Sequence, residues 1–361
     1  MRRKFTNKYE DILKNNGPLA VLESMQQNIV NQNKIRVYGW ENNGASSYDF
    51  NLINSVSLFL FEELKITEAF IPEDFENRPK IIKESTKYIT VHDTASAREG
   101  GGATAHMKYV TNGGGGTSWH YSLGNDGTYL HLPHNEVAYH AGDGRLEYRL
   151  EDTKVKATNT KPNISISYDG FYTFNNEKSP ILAPTKDGHI LTEQYINDLG
   201  LEVQIKNGKY HLGSTWYSKT YDYIGNGGGN RNSIGIESCI DKGSDIYLTW
   251  QLLAKLVAYL LDVEKLDLDA VVQHHFFSGK DCPKTMRRAL MWDHFLDLVE
   301  AEYFIRTALK DYTIKIDPLS SNLQTNGRIK LTNPQDRLIT YKLIITKDEE
   351  KYEKEFKTII N

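Results

Sequence analysis

Two adjacent histidines, a lysine and a cysteine fall within one short stretch, VVQHHFFSGKDCPKTM, at residues 271–286. Imidazole and thiolate groups are common zinc ligands, and a thiolate can also act as a nucleophile. His274 and Cys282 are eight residues apart across a loop that contains glycine, so both could reach one ion. Taken alone, the stretch leaves three interpretations open: a metal site, a cysteine nucleophile or an ordinary loop.

A third potential ligand lies far upstream in the sequence. Catalytic zinc sites usually take three protein ligands and keep a fourth position open. His92 stands near the end of the β-like run YITVHD and would project at the edge of a sheet. His92, His274 and Cys282 are therefore the candidate metal ligands.

Composition and charge narrow the class of protein. The 361 residues are 39% hydrophobic and 25% charged, which is typical of a globular chain of two or three domains. The formal net charge of −4 offers no basic surplus for a nucleic-acid partner. The uninterrupted apolar runs, such as LFLF at 58–61, are far shorter than the roughly 20 residues of a membrane-spanning helix, so we predict no membrane span. The basic start is followed by acidic residues rather than an apolar segment, which predicts no secretion signal.

The hydrophobic pattern predicts an α/β fold. Residues 1–80 have helical spacing, as in GPLAVLESMQQNIVNQ and in the run containing Leu52, Val56, Leu60 and Leu64. Short strands between turns follow from about 87, with a hairpin at NDG, residues 125–127. The strand NSIGIESCI and the long apolar stretches after it predict a β-sheet covered by helices.

Two regions fall outside that pattern. Residues 146–227 are rich in Tyr, Asn, Thr and Lys, with β-like runs such as ISISYDGFYTF, and predict a β-rich insertion. The tail at 311–361 alternates as strands do and carries an Asn-Gly turn, which predicts a small β module. We therefore divide the chain into a helical region (1–80), a catalytic domain (81–310) and this module.

Five motifs in order resemble one enzyme family. YITVHDTAS, SWHYSLGNDGTYLHLP, VAYHAGDG, NSIGIESC and HHFFSGKDCP are similar to motifs of the zinc N-acetylmuramoyl-L-alanine amidases of the amidase-2 family, which includes endolysins and peptidoglycan recognition proteins. The resemblance covers roughly 87–145 and 228–300. It implies a central mixed β-sheet flanked by helices and Zn²⁺ held by His92, His274 and Cys282. The tail resembles bacterial immunoglobulin-like modules more weakly.

The resemblance also assigns the remaining chemistry. Glu237 matches the family's catalytic glutamate, and Lys280 matches the lysine that stabilises the oxyanion; a half-buried structural carboxylate and a solvated lysine are the alternatives. His275 is the rival of His274, and the spacing to the cysteine favours His274. A disulfide between Cys239 and Cys282 would remove a ligand and is rejected.

His120 and His140 match positions that line the substrate groove in relatives, and we assign Trp119, next to His120, to substrate binding with them. Some members have a catalytic tyrosine where this chain has Trp119, a departure that leaves the general-base role to Glu237. Core packing is the alternative for all three.

The resemblance implies a peptidoglycan hydrolase that cleaves the amide bond between N-acetylmuramic acid and L-alanine by zinc-activated water. The alternative is a non-catalytic peptidoglycan-binding protein on the same fold, although members that only bind typically lack the zinc cysteine, which is present here as Cys282. We expect action on the cell wall, with release through a holin, a trimmed autolysin or a cytoplasmic recycling role all open.

Overall fold

The computed structural model describes residues 2–30, 37–38, 49–50, 60–96, 99–146, 150–183, 185–186, 189–190, 203–213, 223–242, 244–289, 291–328 and 338–359. The chain begins with helices α1 (Lys8–Asn16) and α2 (Pro18–Val30). Gly17, with a φ of 81°, ends the first helix, and Pro18 can begin the second because its fixed φ is already helical. The predicted N-terminal helices are confirmed over this part.

The second predicted helix, over residues 48–64, does not form where the chain is described. Asp49–Phe50 (β2) pairs with Val37–Tyr38 (β1), and residues 60–65 have no regular secondary structure. Residues 51–59, which include Leu52 and Val56, lie outside the described residues. Leu60 is buried in the main core without helical geometry. Its hydrophobic character therefore indicated burial and not a helix.

A six-stranded mixed sheet forms the centre of the fold. Its strands are β3 (Ile66–Glu68), β4 (Tyr88–Asp93), β5 (Tyr121–Gly124), β6 (Gly127–Leu130), β17 (Ser233–Ser238) and β18 (Val271–Gln273). They lie in the order β18-β4-β17-β5-β6-β3. β5 and β6 form the predicted hairpin and are antiparallel, whereas the other neighbouring strands are parallel. The predicted mixed sheet is thereby confirmed.

One face of this sheet packs against helices. Alternate strand residues point to this face, among them Ile89, Val91, Ile234 and Ile236, and all are fully buried. The helices of the catalytic domain are α3 (Ala103–Thr111), α4 (Gly229–Asn232), α5 (Ile246–Glu264), α6 (His275–Ser278), α7 (Lys284–Arg288) and α8 (Trp292–Thr307). Short 3₁₀ turns lie at Gly114–Gly116 and Leu268–Ala270.

Helix α5 is the central helix of the core. The Asp245 side chain caps its amino end by accepting from the Leu248 backbone N–H at 2.9 Å. Its length and apolar composition would suffice to cross a bilayer, but 78% of its most apolar window is buried inside the protein. That burial is typical of a core helix, so the helix is weak evidence for a membrane span.

The predicted insertion folds as a β-rich lobe with its own core. Its strands β7 (Arg145–Leu146) and β16 (Tyr223–Ile224) pair where the lobe leaves and re-enters the domain. Tyr172 and Tyr210 lie in the lobe's core, so core packing is the correct interpretation for both. The other strands are β8 (Leu150–Lys156), β9 (Ile164–Ile166), β10 (Phe171–Phe174), β11 (Glu177–Leu182), β12 (Thr185–Lys186), β13 (His189–Ile190), β14 (Val203–Lys206) and β15 (Lys209–Gly213).

The tail forms a three-stranded antiparallel sheet, β19 (Thr313–Pro318), β20 (Leu338–Lys347) and β21 (Glu350–Ile359). Its buried residues, among them Tyr341, belong to the same hydrophobic cluster as Met25 of the N-terminal helices and the residues of the central sheet. The predicted β character is confirmed, and this sheet shares its core with the catalytic domain. The immunoglobulin-like assignment stays a prediction.

Candidate metal centre and active site

Three adjacent strands bring the predicted chemistry together. In the parallel register, Glu237 on β17 is the direct partner of His92 on β4. His274 follows the end of β18, and its backbone N–H donates to the Val91 carbonyl at 3.2 Å. Partnered residues of neighbouring strands point to one face, so the two histidines and Glu237 converge at the carboxyl ends of the strands.

A loop after α6 carries Cys282 to this cluster, and Asp93 holds that loop in place. The Asp93 carboxylate accepts hydrogen bonds from the backbone N–H groups of Lys284 and Thr285, at 2.8 and 2.7 Å, and from the Thr285 hydroxyl. These groups belong to the start of α7, two and three residues after the cysteine. The residue next to His92 in sequence thus fixes the position of Cys282.

The three candidate ligands fit a zinc ion. Their donor atoms lie within 4.8 Å of one another, and all three residues are buried. The Cys282 Sγ and His92 Nδ1 are 3.7 Å apart. Tetrahedral zinc with bonds of about 2.1 Å to nitrogen and 2.3 Å to sulfur would separate such a pair by roughly 3.6 Å. The buried Nδ1 of His274 has no hydrogen-bond partner among the described residues, which suits a metal ligand.

The pKa shifts of the three candidate ligands favour a bound cation between them. Burial lowers the pKa of His92 and of His274 well below the usual range, so both rings are neutral and offer lone pairs. Burial also raises the pKa of the Cys282 thiol, and the carboxylates of Asp93 and Glu237 act in the same direction. Zinc coordination deprotonates a thiol outright, so a bound ion would offset this cost.

Glu237 lies beside the ligands with its carboxylate half-buried. Desolvation raises its pKa to about 8, the charge of Asp93 adds to the shift, and Lys280 opposes it. A carboxyl group whose pKa lies near neutral pH can both accept and return a proton. The same side chain would be costly as a purely structural element, because an ionisable group is set in a strand of apolar residues.

Lys280 and His275 lie at the rim of the cluster. Lys280 is exposed, yet its positive charge is near enough to lower the pKa of His274 and of Glu237. The Lys280 carbonyl lies 3.0 Å from the His275 Nδ1. His275 therefore orders the loop before the cysteine, whereas His274 belongs to the ligand cluster.

His120 and Trp119 are both buried beside the sheet. His120 is 0% exposed; its Nδ1 accepts from the Gly235 N–H at 3.1 Å, and its Nε2 lies 3.0 Å from the Glu136 carbonyl. Trp119 is 7% exposed and donates from Nε1 to the Ser122 hydroxyl at 2.8 Å. Both side chains support the sheet in this structure, and contact between either of them and the substrate stays a prediction.

His140 is half-buried above the centre of the sheet. Its Nδ1 lies 2.8 Å from the Nε2 of His92. Its ring also occupies the space over Gly235, where an added Cβ would come within 2.7 Å of the imidazole. Contact between His140 and the substrate stays a prediction.

Sequence reasoning missed two contributors, Asp93 and Gly235. Asp93 directly follows a predicted ligand, a position that could have suggested a supporting role. Its partners lie 191 and 192 residues further along the chain, so no local pattern revealed them. Gly235 stood in the quoted motif NSIGIESC, but only the fold shows what its missing side chain makes room for.

Replacing Asp93 by Asn is expected to loosen the cysteine loop. The amide cannot accept from both backbone donors, which leaves one buried N–H without a partner and costs about 1–3 kcal/mol. We expect a lower free energy of unfolding together with several-fold weaker zinc binding, measured by denaturation and by chelator competition.

The matched control is Asp126→Asn. Asp126 also accepts two backbone N–H bonds at the start of a helix, from Ala103 and Thr104 at 2.8 and 3.0 Å, but it contacts none of the three ligands. The Asp126→Asn substitution should lower the free energy of unfolding and leave the zinc affinity unchanged. Equal zinc affinity in the two variants would show that Asp93 does not position Cys282.

Similar proteins place the chain among known enzymes. The two most informative curated relatives are both named N-acetylmuramoyl-L-alanine amidase, XlyA and CwlH of Bacillus subtilis (strain 168). XlyA is 26% identical over 232 residues, 64% of this chain and 50% of XlyA. CwlH is 26% identical over 269 residues, 74% of this chain and 71% of CwlH. The match thus spans half the length of XlyA.

A solved structure of the catalytic domain of XlyA is 25% identical and covers 65% of this chain and 99% of that chain, with a TM-score of 0.40. Residues 83–285, more than half of the chain, match the Amidase_2 family, described as N-acetylmuramoyl-L-alanine amidase. This range contains every motif on which the resemblance was based. The chain therefore belongs to the N-acetylmuramoyl-L-alanine amidase family, Amidase_2.

Proposed function

We propose that the protein is a zinc-dependent peptidoglycan hydrolase that cleaves the amide bond between N-acetylmuramic acid and L-alanine. The observation that carries the proposal is the convergence of His92, His274 and Cys282 within 4.8 Å, with Glu237 on the adjacent strand. A site that only bound peptidoglycan would need neither a buried cysteine ligand nor a desolvated carboxylate beside it.

Each residue has a role that follows from its position. His92, His274 and Cys282 would hold the zinc ion, which supplies Lewis-acid polarisation of the scissile carbonyl. Glu237 accepts the proton of the attacking water and returns it to the leaving amine. Lys280, at the exposed rim, donates to the oxygen that becomes negative as the amide is attacked.

Metal dependence is tested with purified peptidoglycan as substrate. Treatment with a chelator should abolish the release of soluble fragments, and added zinc should restore it. Full activity after removal of the metal would contradict the proposed mechanism.

We also propose that the insertion lobe helps the enzyme engage polymeric wall, and that the wall is where the protein acts. The lobe joins the domain beside the metal site, because the Arg145 guanidinium lies 4.8 Å from the centre of the Phe276 ring in α6. Helix α6 directly follows the ligand His274. The lobe is therefore attached next to the site rather than at a distant surface.

Excising the lobe should separate wall binding from metal binding. Leu146 and Tyr223 are paired residues of β7 and β16, so a two-residue Asn-Gly turn can replace residues 147–222. We expect unchanged zinc content, preserved cleavage of small muramyl peptides and markedly slower lysis of intact walls. The proposal fails if zinc content and both activities fall together, or if wall lysis is unaffected.

A further inference from the structure

The hydrogen bond between His92 and His140 fixes the proton positions on both rings. If the Nδ1 of His92 faces the metal, its proton lies on Nε2 and is donated to the Nδ1 of His140, 2.8 Å away. His140 must then carry its own proton on Nε2. That nitrogen lies 3.4 Å from the Ser233 hydroxyl.

The hydroxyl of Ser233 completes this chain of hydrogen bonds. It donates to the Gly229 carbonyl at 2.8 Å and accepts from the Thr90 hydroxyl at 2.7 Å. Its second lone pair remains for His140. Every donor from His92 to the Gly229 carbonyl thus has an acceptor, and only one tautomer of each ring satisfies them all.

The backbone and the sheet hold His140 in place. The backbone N–H groups of His140 and Ala141 both donate to the Asn230 side-chain oxygen at 2.8 Å. Below the ring, Gly235 leaves the space that any larger residue would fill, with a Cβ 2.7 Å from the imidazole. The ring is therefore fixed from the loop side and from the sheet side.

We propose that His140 is a positioning residue for the metal ligand His92, and that Gly235 leaves the space in which its ring lies. Metal-bound histidines usually donate their second N–H to a carboxylate, a carbonyl or water, and these partners tune metal affinity. A neutral imidazole takes that place here. The inference rests on the proposed zinc dependence, but it assigns His140 to the metal side of the site.

The test measures zinc affinity of the purified zinc-loaded protein by competition with a chromophoric chelator. His140→Phe keeps a ring but removes the acceptor, and should weaken zinc binding by about 10- to 100-fold. His140→Asn keeps an amide oxygen near the position of Nδ1, and should hold zinc within about threefold of the original protein.

His131→Phe is the matched control. His131 is also fully buried, and its ring nitrogens lie 3.0 and 2.9 Å from the Ala69 carbonyl and the Ser122 hydroxyl, away from the ligands. The His131→Phe substitution should lower the melting temperature without changing the zinc affinity. If His140→Phe binds zinc as the original protein does, or no more weakly than His131→Phe, the positioning role is wrong. If the original protein binds no zinc, the proposed function fails first, and the inference with it.

A double-mutant cycle tests the part assigned to Gly235. Gly235→Ala should weaken zinc binding by displacing the ring of His140, and should add nothing further in a His140→Phe background. Additive effects of the two substitutions would show that Gly235 acts independently of His140.

Discussion

Replacing Cys282 by Ala is expected to remove zinc and activity together. The thiol is buried 3.7 Å from the His92 Nδ1, and the carboxylates of Asp93 and Glu237 are near enough to raise its pKa. Loss of one thiolate from a three-ligand site should weaken zinc binding by roughly 10³-fold or more. Metal analysis after dialysis and peptidoglycan turnover measure the two effects.

The second cysteine provides the control for this prediction. Cys239 is also buried and is not among the three clustered donors. Cys239→Ala should retain zinc. A Cys282→Ala protein that still hydrolyses peptidoglycan would overturn the assignment of this cysteine as a ligand.

Glu237→Gln is expected to separate metal binding from catalysis. The amide has nearly the same shape but cannot accept and return a proton, a role worth about 10²- to 10⁴-fold in rate. We therefore expect kcat to fall by that range while zinc content and the melting temperature change little. Steady-state kinetics on a soluble muramyl peptide would measure the fall in kcat.

Glu302→Gln is the matched substitution of a second shielded glutamate. Glu302 pairs with Lys255 at 2.9 Å between α5 and α8, remote from the ligands. The Glu302→Gln substitution should lower the free energy of unfolding and leave kcat unchanged. A Glu237→Gln enzyme with near-normal kcat would move the proton-transfer role to another group.

The cluster of His92, His274 and Cys282, which could hold a metal ion, could be predicted because its residue types are rare and its motifs are specific. His92 and Cys282 are 190 residues apart in sequence. Their residue types made them candidate ligands, and the resemblance placed them in one site before the fold was known. The structure adds the physical reason: parallel pairing of β18, β4 and β17 aligns His274, His92 and Glu237 in one row.

The supporting residues were harder to predict, because their partners are distant or carry no side chain. His120 and Trp119 stand in a matched motif, but their burial depends on hydrogen bonds to Glu136 and Ser122 that only the folded hairpin creates. His140 also stands in a matched motif, and its hydrogen bond to His92 depends on the turn of its loop over Gly235.

The ends of the chain show the limits of hydrophobic spacing. Leu60 and Leu64 fit a helical period, yet the strand that follows them, Ile66–Glu68, pairs with β6 at the sheet edge. The tail has correctly predicted strands, but nothing in its alternation indicated that Tyr341 would pack in the same core as Met25. The spacing of hydrophobic residues along the chain predicts which residues are buried better than it predicts the elements against which they pack.

The most direct test of the central claim is the identification of the new chain ends in digested peptidoglycan. Fragments separated by chromatography and analysed by mass spectrometry should carry a free amino group on L-alanine and an intact lactyl carboxylate on N-acetylmuramic acid. The sugar chains should gain no reducing ends. New reducing sugars, or new amino groups at another position of the stem peptide, would contradict amide cleavage at the muramic acid.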